Sequence, residues 1–149
     1  EKTAKAIDDA LKTATAVIMN ASEEKLSRRS GEGIWSAKEI LGHLIDSALH
    51  NLVRFTEAQH LDEPYRHRKY DQEQLVLLND YQHQETEDLL VLWLSLNRQI
   101  SKIVASADET IIARKVVFGD GTSTDLKFLM KDYVDHLDHH LHKMKSLLK

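Results

Sequence analysis

Asp135-His136-Leu137-Asp138-His139-His140-Leu141-His142 places four of the chain's nine histidines within seven residues near the C-terminus. Around it Phe128, Leu129, Tyr133, Val134, Leu141, Met144 and Leu148 recur at helical spacing, so the stretch is predicted to be one amphipathic helix. Residues four apart on a helix stand one above the other, about 6 Å apart at Cβ. His136 and His140 can therefore hold one metal ion between them, as two histidines at this spacing do in zinc enzymes. With His136 at 0° and about 100° per residue, Leu129, Tyr133, Leu137, Leu141, Met144 and Leu148 fall between roughly 20° and 140°. His140 lies inside that arc at about 40°, and His136 on its edge. His139 and His142 fall toward solvent, at about −60° and −120°. The inward pair is His136 and His140.

The rest of the chain fits one folded domain spanning residues 1–149, because 42% hydrophobic residues suffice for a core. One proline and five glycines favour long helices over a strand-and-turn fold. The absence of cysteine excludes disulfides, thiolate metal ligands and a cysteine nucleophile on the chain. A net charge of −4 with interspersed signs provides no basic footprint for nucleic acid. No leader-like segment and no run of about 18 apolar residues is present, so no membrane span and a cytoplasmic address are expected.

Ala6, Ile7, Leu11, Ala14, Val17 and Ile18 mark a first helix from residue 2 to about 22. A loop containing Gly31 and Gly33 follows. Ser36-Ala37-Lys38-Glu39 is a capping box that starts a second helix, running to about His60. Its apolar face is Ile40, Leu41, Leu44, Ala48, Leu52 and Phe55. Along one margin run His43, Ser47, Asn51 and Arg54, within about 80° of one another, and His50 joins them at about −20° from His43. Such a line of mid-sized polar groups beside a core reads as the wall of a cavity; the plainer reading is a core boundary.

Arg66-His67-Arg68-Lys69 reads as a solvated loop, and Asp71 with Gln74 caps a short helix over Gln72 to Leu78. A third long helix is predicted from about Tyr81 to Ala105, with Leu89, Leu92, Trp93, Leu96, Ile100 and Ile103 inward. Residues 106 to 123 read as a loop or short hairpin. Ser123 or Thr124 then caps the fourth helix, Asp125 to Leu148.

Four long amphipathic segments predict an all-α, four-helix bundle. Bundles build metal sites from facing helices, so a third ligand should come from elsewhere. His43, on the margin of the second helix, is the best placed; His60, His67 and His83 lie at a helix end, in a loop, or before an apolar stripe begins. Three histidines without a carboxylate would leave positions open for water or substrate, as in catalytic zinc sites. Such ligands suit zinc, nickel, cobalt or iron(II). A histidine-rich helix end also binds metal adventitiously, so the pair alone does not define a site.

Gly33-Ile34-Trp35-Ser36, then His43-Leu44-Ile45-Asp46-Ser47, Asn51 and Arg54-Phe55, and finally Tyr133-Val134-Asp135-His136 with His139-His140, form one pattern across nearly the whole chain. It resembles the DinB-like superfamily, in particular its YfiT-like metal-dependent hydrolases. The resemblance implies a four-helix bundle with one divalent ion per chain, zinc or nickel foremost, held by His43, His136 and His140 between helices two and four. It also implies a homodimer, and either thiol transfer from a low-molecular-weight thiol such as bacillithiol or mycothiol, or hydrolysis. On this reading the ion activates a thiol or water for attack on a small electrophile. Arg54 would bind an anionic group, while Asp46, Ser47 and Asn51 would orient His43 or the attacking water. Asp46 sits furthest off the line, at about −60° from His43. The alternative is a non-catalytic bundle stabilised by metal, or a stress-response interaction module. The segment Tyr65 to Tyr81 follows the family pattern loosely.

Overall fold

The second long helix is fixed at its start by the chemistry of four residues. The Ser36 hydroxyl accepts from the Glu39 backbone N–H at 3.1 Å, and the Glu39 carboxylate accepts from the Ser36 N–H at 3.1 Å, which satisfies two otherwise orphaned donors. The computed structural model, which describes residues 2–149, arranges the chain as α1 (Lys2–Met19), α2 (Glu23–Ser27), α3 (Ala37–His60), β1 (Tyr65–Arg66), α4 (Gln72–Leu78), a 3-10 turn (Tyr81–His83), α5 (Thr86–Ser106), α6 (Glu109–Ile112), β2 (Lys115–Val117), β3 (Ser123–Asp125) and α7 (Leu126–Leu147). The four long helices are α1, α3, α5 and α7, as the periodicity predicts.

Their order in space is less obvious. Helices α1 and α3 each pack on both α5 and α7. The first two long helices therefore face each other across a diagonal instead of lying side by side. Helix α3 is covered by α2, α4, α5, α7 and the 3-10 turn, and every residue from Ser36 to Ala48 is buried. Burial of Phe55, Trp93 and Ile7, all 0% exposed, contributes roughly 1.5–3 kcal/mol per side chain. A polar bond crosses the core: the Tyr133 hydroxyl donates to Asn97 Oδ1 at 2.5 Å, and Asn97 Nδ2 donates to the Trp93 carbonyl at 2.9 Å. It fixes α7 against α5 one turn before His136.

Several boundaries differ from the sequence-based expectation. Helix α1 stops at Met19, and Ser22 caps the unpredicted α2 through the Lys25 N–H. The third long helix begins at Thr86, not Tyr81, because Asp80 adopts a left-handed backbone (φ 52°) and Tyr81 turns into the core. Leu92 is exposed where an inward position was predicted, while Leu90 and Asn97 are buried. The extended pieces of residues 106–123 make a hairpin, with Val116 paired to Thr124, and β1 adds to it in parallel, Tyr65 against Val116. Because Ser123 and Thr124 belong to β3, the cap of α7 is Asp125, which accepts from the Phe128 N–H at 2.9 Å. No helix among the described residues is long and apolar enough to cross a membrane.

Candidate metal centre

His43 sits two turns into α3, where the capping box sets the helix start and the surrounding elements leave it 0% exposed. His136 and His140 sit one turn apart on α7, each half-buried, while His139 and His142 are exposed. One ring nitrogen from each of His43, His136 and His140 lies within 4.8 Å of the others. The Nε2 atoms of His136 and His140 are 3.1 Å apart, close to the roughly 3.3 Å edge of a tetrahedron with 2.0–2.1 Å zinc–nitrogen bonds. The three rings stand edge to face, with centroids 4.4 to 5.4 Å apart. His60 and His83 are exposed, away from this cluster.

The donors fit a cation. Both nitrogens of His43 and Nδ1 of His140 are buried without a hydrogen-bond partner among the described residues, and an unmade bond of this kind costs about 1–3 kcal/mol. A shared divalent ion would use one nitrogen from each ring. Burial pushes the His43 imidazole down to about 4. Burial, then the charges of His136 and His43, pushes that of His140 down to about 3. His136 is lowered mainly by burial. All three are thus neutral at neutral pH, the form that ligates.

In the metal-free protein unfolded histidines take up protons near pH 6.5, whereas folded His43 resists until about 4 and His140 until about 3. Between those values the unfolded state binds more protons, so stability falls as pH falls. The urea midpoint of chelator-treated protein is expected to drop from pH 7 to pH 5, and His43→Asn should flatten that slope. An equally steep slope in the variant would contradict the assignment.

Of the predicted polar line, Ser47, Asn51 and Arg54 border a cavity of about 400 Å³, whereas His43 is fully buried and does not line it. Ser47, Asn51 and Arg54 of α3 form one wall, and Leu129, Asp132, Tyr133 and His136 of α7 the other. His67, Lys69, Tyr70 and Gln72 form the roof, with Phe118 from the hairpin. Pairing of β1 with β2 seats the roof, bringing His67 against Phe118 at 5.1 Å. His50 lies just outside, stacked on Tyr70 at 4.1 Å. Asn51 Nδ2 donates to the Ser47 carbonyl at 2.8 Å, and the Arg54 guanidinium donates to the Arg68 carbonyl and, at 3.5 Å, to Asn51 Oδ1.

Asp46 points elsewhere. Its carboxylate accepts from the Tyr81 hydroxyl at 2.6 Å, and among the described residues its second oxygen has no partner and it makes no hydrogen bond to His43. Burial raises its pKa. The Trp35 ring covers His43 with centroids 5.0 Å apart, and lines a second hollow with Arg29, Ile34 and Lys143. Sequence reasoning missed the roof and Asp132. The α7 wall was readable as a line at helical spacing from Leu129 to His136, but the roof depends on pairing between strands fifty residues apart.

Comparison with known proteins agrees with this architecture. A family model of the DinB superfamily matches residues 6–144. No curated protein sequence matches the chain. Among solved structures it is similar to YfiT from Bacillus subtilis, a probable metal-dependent hydrolase with an unusual four-helix bundle topology, at a TM-score of 0.88 and 19% identity over 98% of this chain and 83% of that one. It is also similar to a mycothiol-dependent maleylpyruvate isomerase, with a TM-score of 0.76 and 10% identity, of which it spans 60% while 97% of this chain is covered. A DinB-like protein from Bacillus subtilis aligns at a TM-score of 0.68 and 17% identity, over 99% of this chain and 90% of that chain. At these identities the likeness establishes the fold.

Proposed function

The chain belongs to the DinB superfamily, and from that premise we propose that it is a metal-dependent enzyme acting on a small molecule, with one divalent ion held by His43, His136 and His140. The observation that carries the proposal is the convergence of three neutral imidazoles, two of them with buried nitrogens that have no hydrogen-bond partner among the described residues, beside a cavity that the third, His136, lines. When bound, an ion (zinc or nickel foremost) supplies the Lewis acidity that favours the ionised form of a thiol or water near neutral pH.

The chain's own residues do the rest. Burial keeps the three rings neutral, and Trp35 excludes water from one face of His43. Ser47 and Asn51 present polar atoms along the cavity wall to orient the reactant, and Arg54 offers a cation deeper along it. Asp46, braced by Tyr81, holds the turn of α3 that carries His43, so its part is positioning. Transfer of a low-molecular-weight thiol to an electrophile is the first reading, and hydrolysis the second. The protein is further proposed to be a cytoplasmic homodimer.

Elemental analysis followed by a screen of several low-molecular-weight thiols against a fluorogenic electrophile tests this. About one ion per chain is expected, with turnover lost on chelation and restored by one metal. Metal that raises the melting temperature without turnover by any thiol or of any ester would favour the non-catalytic bundle instead.

A further inference from the structure

Arg54 is only 9% exposed, yet among the described residues no carboxylate lies within ion-pair distance of it. Its hydrogen bonds go to one backbone carbonyl and, at 3.5 Å, to one amide oxygen. That leaves most of its five N–H donors unused. The Tyr70 ring lies under it, with the guanidinium carbon 5.4 Å from the centroid. A buried cation is costly unless it is paired. Its cavity adds the Lys69 cation against a single acid, Asp132, while Phe118, Leu129 and Tyr133 supply an apolar wall. The space is built for an anion that also has an apolar body.

The distance along α3 sets the length of that molecule. Arg54 follows His43 by 11 residues, about 16 Å along the axis. Helical side chains lean toward the N-terminus, and this one reaches back to Asn51. The charge therefore stands about 12 Å along the axis from the level of His43. Allowing about 2 Å for the bond from a bound ion to the reacting atom, about 10 Å remains between the anion and that atom, or about eight covalent bonds.

We infer that the reactant of this cavity is a small oxyanion, a carboxylate foremost, whose charged end pairs with Arg54 and whose reacting end lies about 10 Å away at the three histidines. A planar carboxylate can accept two parallel N–H bonds from a guanidinium, and charge-assisted bonds of this kind are about twice as strong as neutral ones. The inference rests on the metal-centre reading for the reacting end only.

Two measurements separate the two ends. Calorimetry on chelator-treated protein compares octanoate, octyl phosphate and octanol. Octanoate is expected to bind at least about ten-fold tighter than octanol, and Arg54→Gln should erase the preference while Arg54→Lys retains part of it. No preference in the unaltered protein, or an undiminished one in Arg54→Gln, would overturn the anion site; a stronger preference for octyl phosphate would overturn the choice of carboxylate. On cobalt-loaded protein, the sulfur-to-cobalt absorption band should then saturate at lower concentration with ω-mercaptooctanoate than with ω-mercaptooctanol or mercaptopropanoate. Equal saturation with all three would overturn the spacing. A missing band with every thiol would instead refute thiol activation at the metal, leaving the octanoate result to decide the anion site alone.

Discussion

Replacing His140 with alanine leaves the purified protein without stoichiometric metal. Two imidazoles then remain of three. The loss of affinity should exceed the roughly 10–100-fold that follows from removing only a ligand's hydrogen-bond partner. Elemental analysis after dialysis against a weak chelator measures it, with His139→Ala and His142→Ala alongside. Both of these residues are exposed on the same helix, and both variants should retain full metal. Full retention by His140→Ala, or equal loss in all three, would refute the ligand set.

Gly42→Ala should produce the largest loss of stability from a single methyl group. A Cβ at residue 42 would stand 2.2 Å from the Tyr81 ring and 2.6 Å from its Cβ, so the whole side chain would have to shift. Tyr81 is 6% exposed, and among the described residues its hydroxyl is the one hydrogen-bond partner of the buried Asp46 carboxylate. Overpacking typically costs 1–3 kcal/mol, and an abandoned buried acceptor about 1–3 kcal/mol more. A loss of about 2–6 kcal/mol is therefore expected from urea unfolding. Tyr81→Phe, which keeps the ring and removes the hydroxyl, should cost only the second part. If Gly42→Ala costs no more than Tyr81→Phe, the close packing is not the constraint. Because α3 carries His43 one residue after Gly42, metal affinity should fall in Gly42→Ala also.

These two sites differ in how far the sequence exposes them. The inward pair on α7 follows from helical angles alone, because histidines four apart must share a face whatever packs on it. The margin of α3 is legible for the same reason, and Ser47, Asn51 and Arg54 do line the cavity. What angles cannot supply is how much of a helix is covered. His43 stands on a predicted margin but is fully buried, since α2, α4 and the 3-10 turn wrap a helix that a simple bundle would leave half exposed. The late start of α5 escapes periodicity because it turns on one left-handed residue, Asp80, and on the pull of Tyr81 toward Asp46. The cavity roof escapes it altogether. His67, Lys69 and Tyr70 read as a solvated basic loop until the parallel pairing of Tyr65 with Val116 brings them beside Phe118. The diagonal placement of α1 and α3 is likewise a property of packing, which no single helix records.

The most direct test of the three-histidine centre is a crystal structure of the protein loaded with zinc, with anomalous data collected on both sides of the metal edge. One peak per chain is predicted, about 2.0–2.1 Å from one ring nitrogen of each of His43, His136 and His140. A peak on His139 or His142, or one that His43 does not reach, would contradict the account.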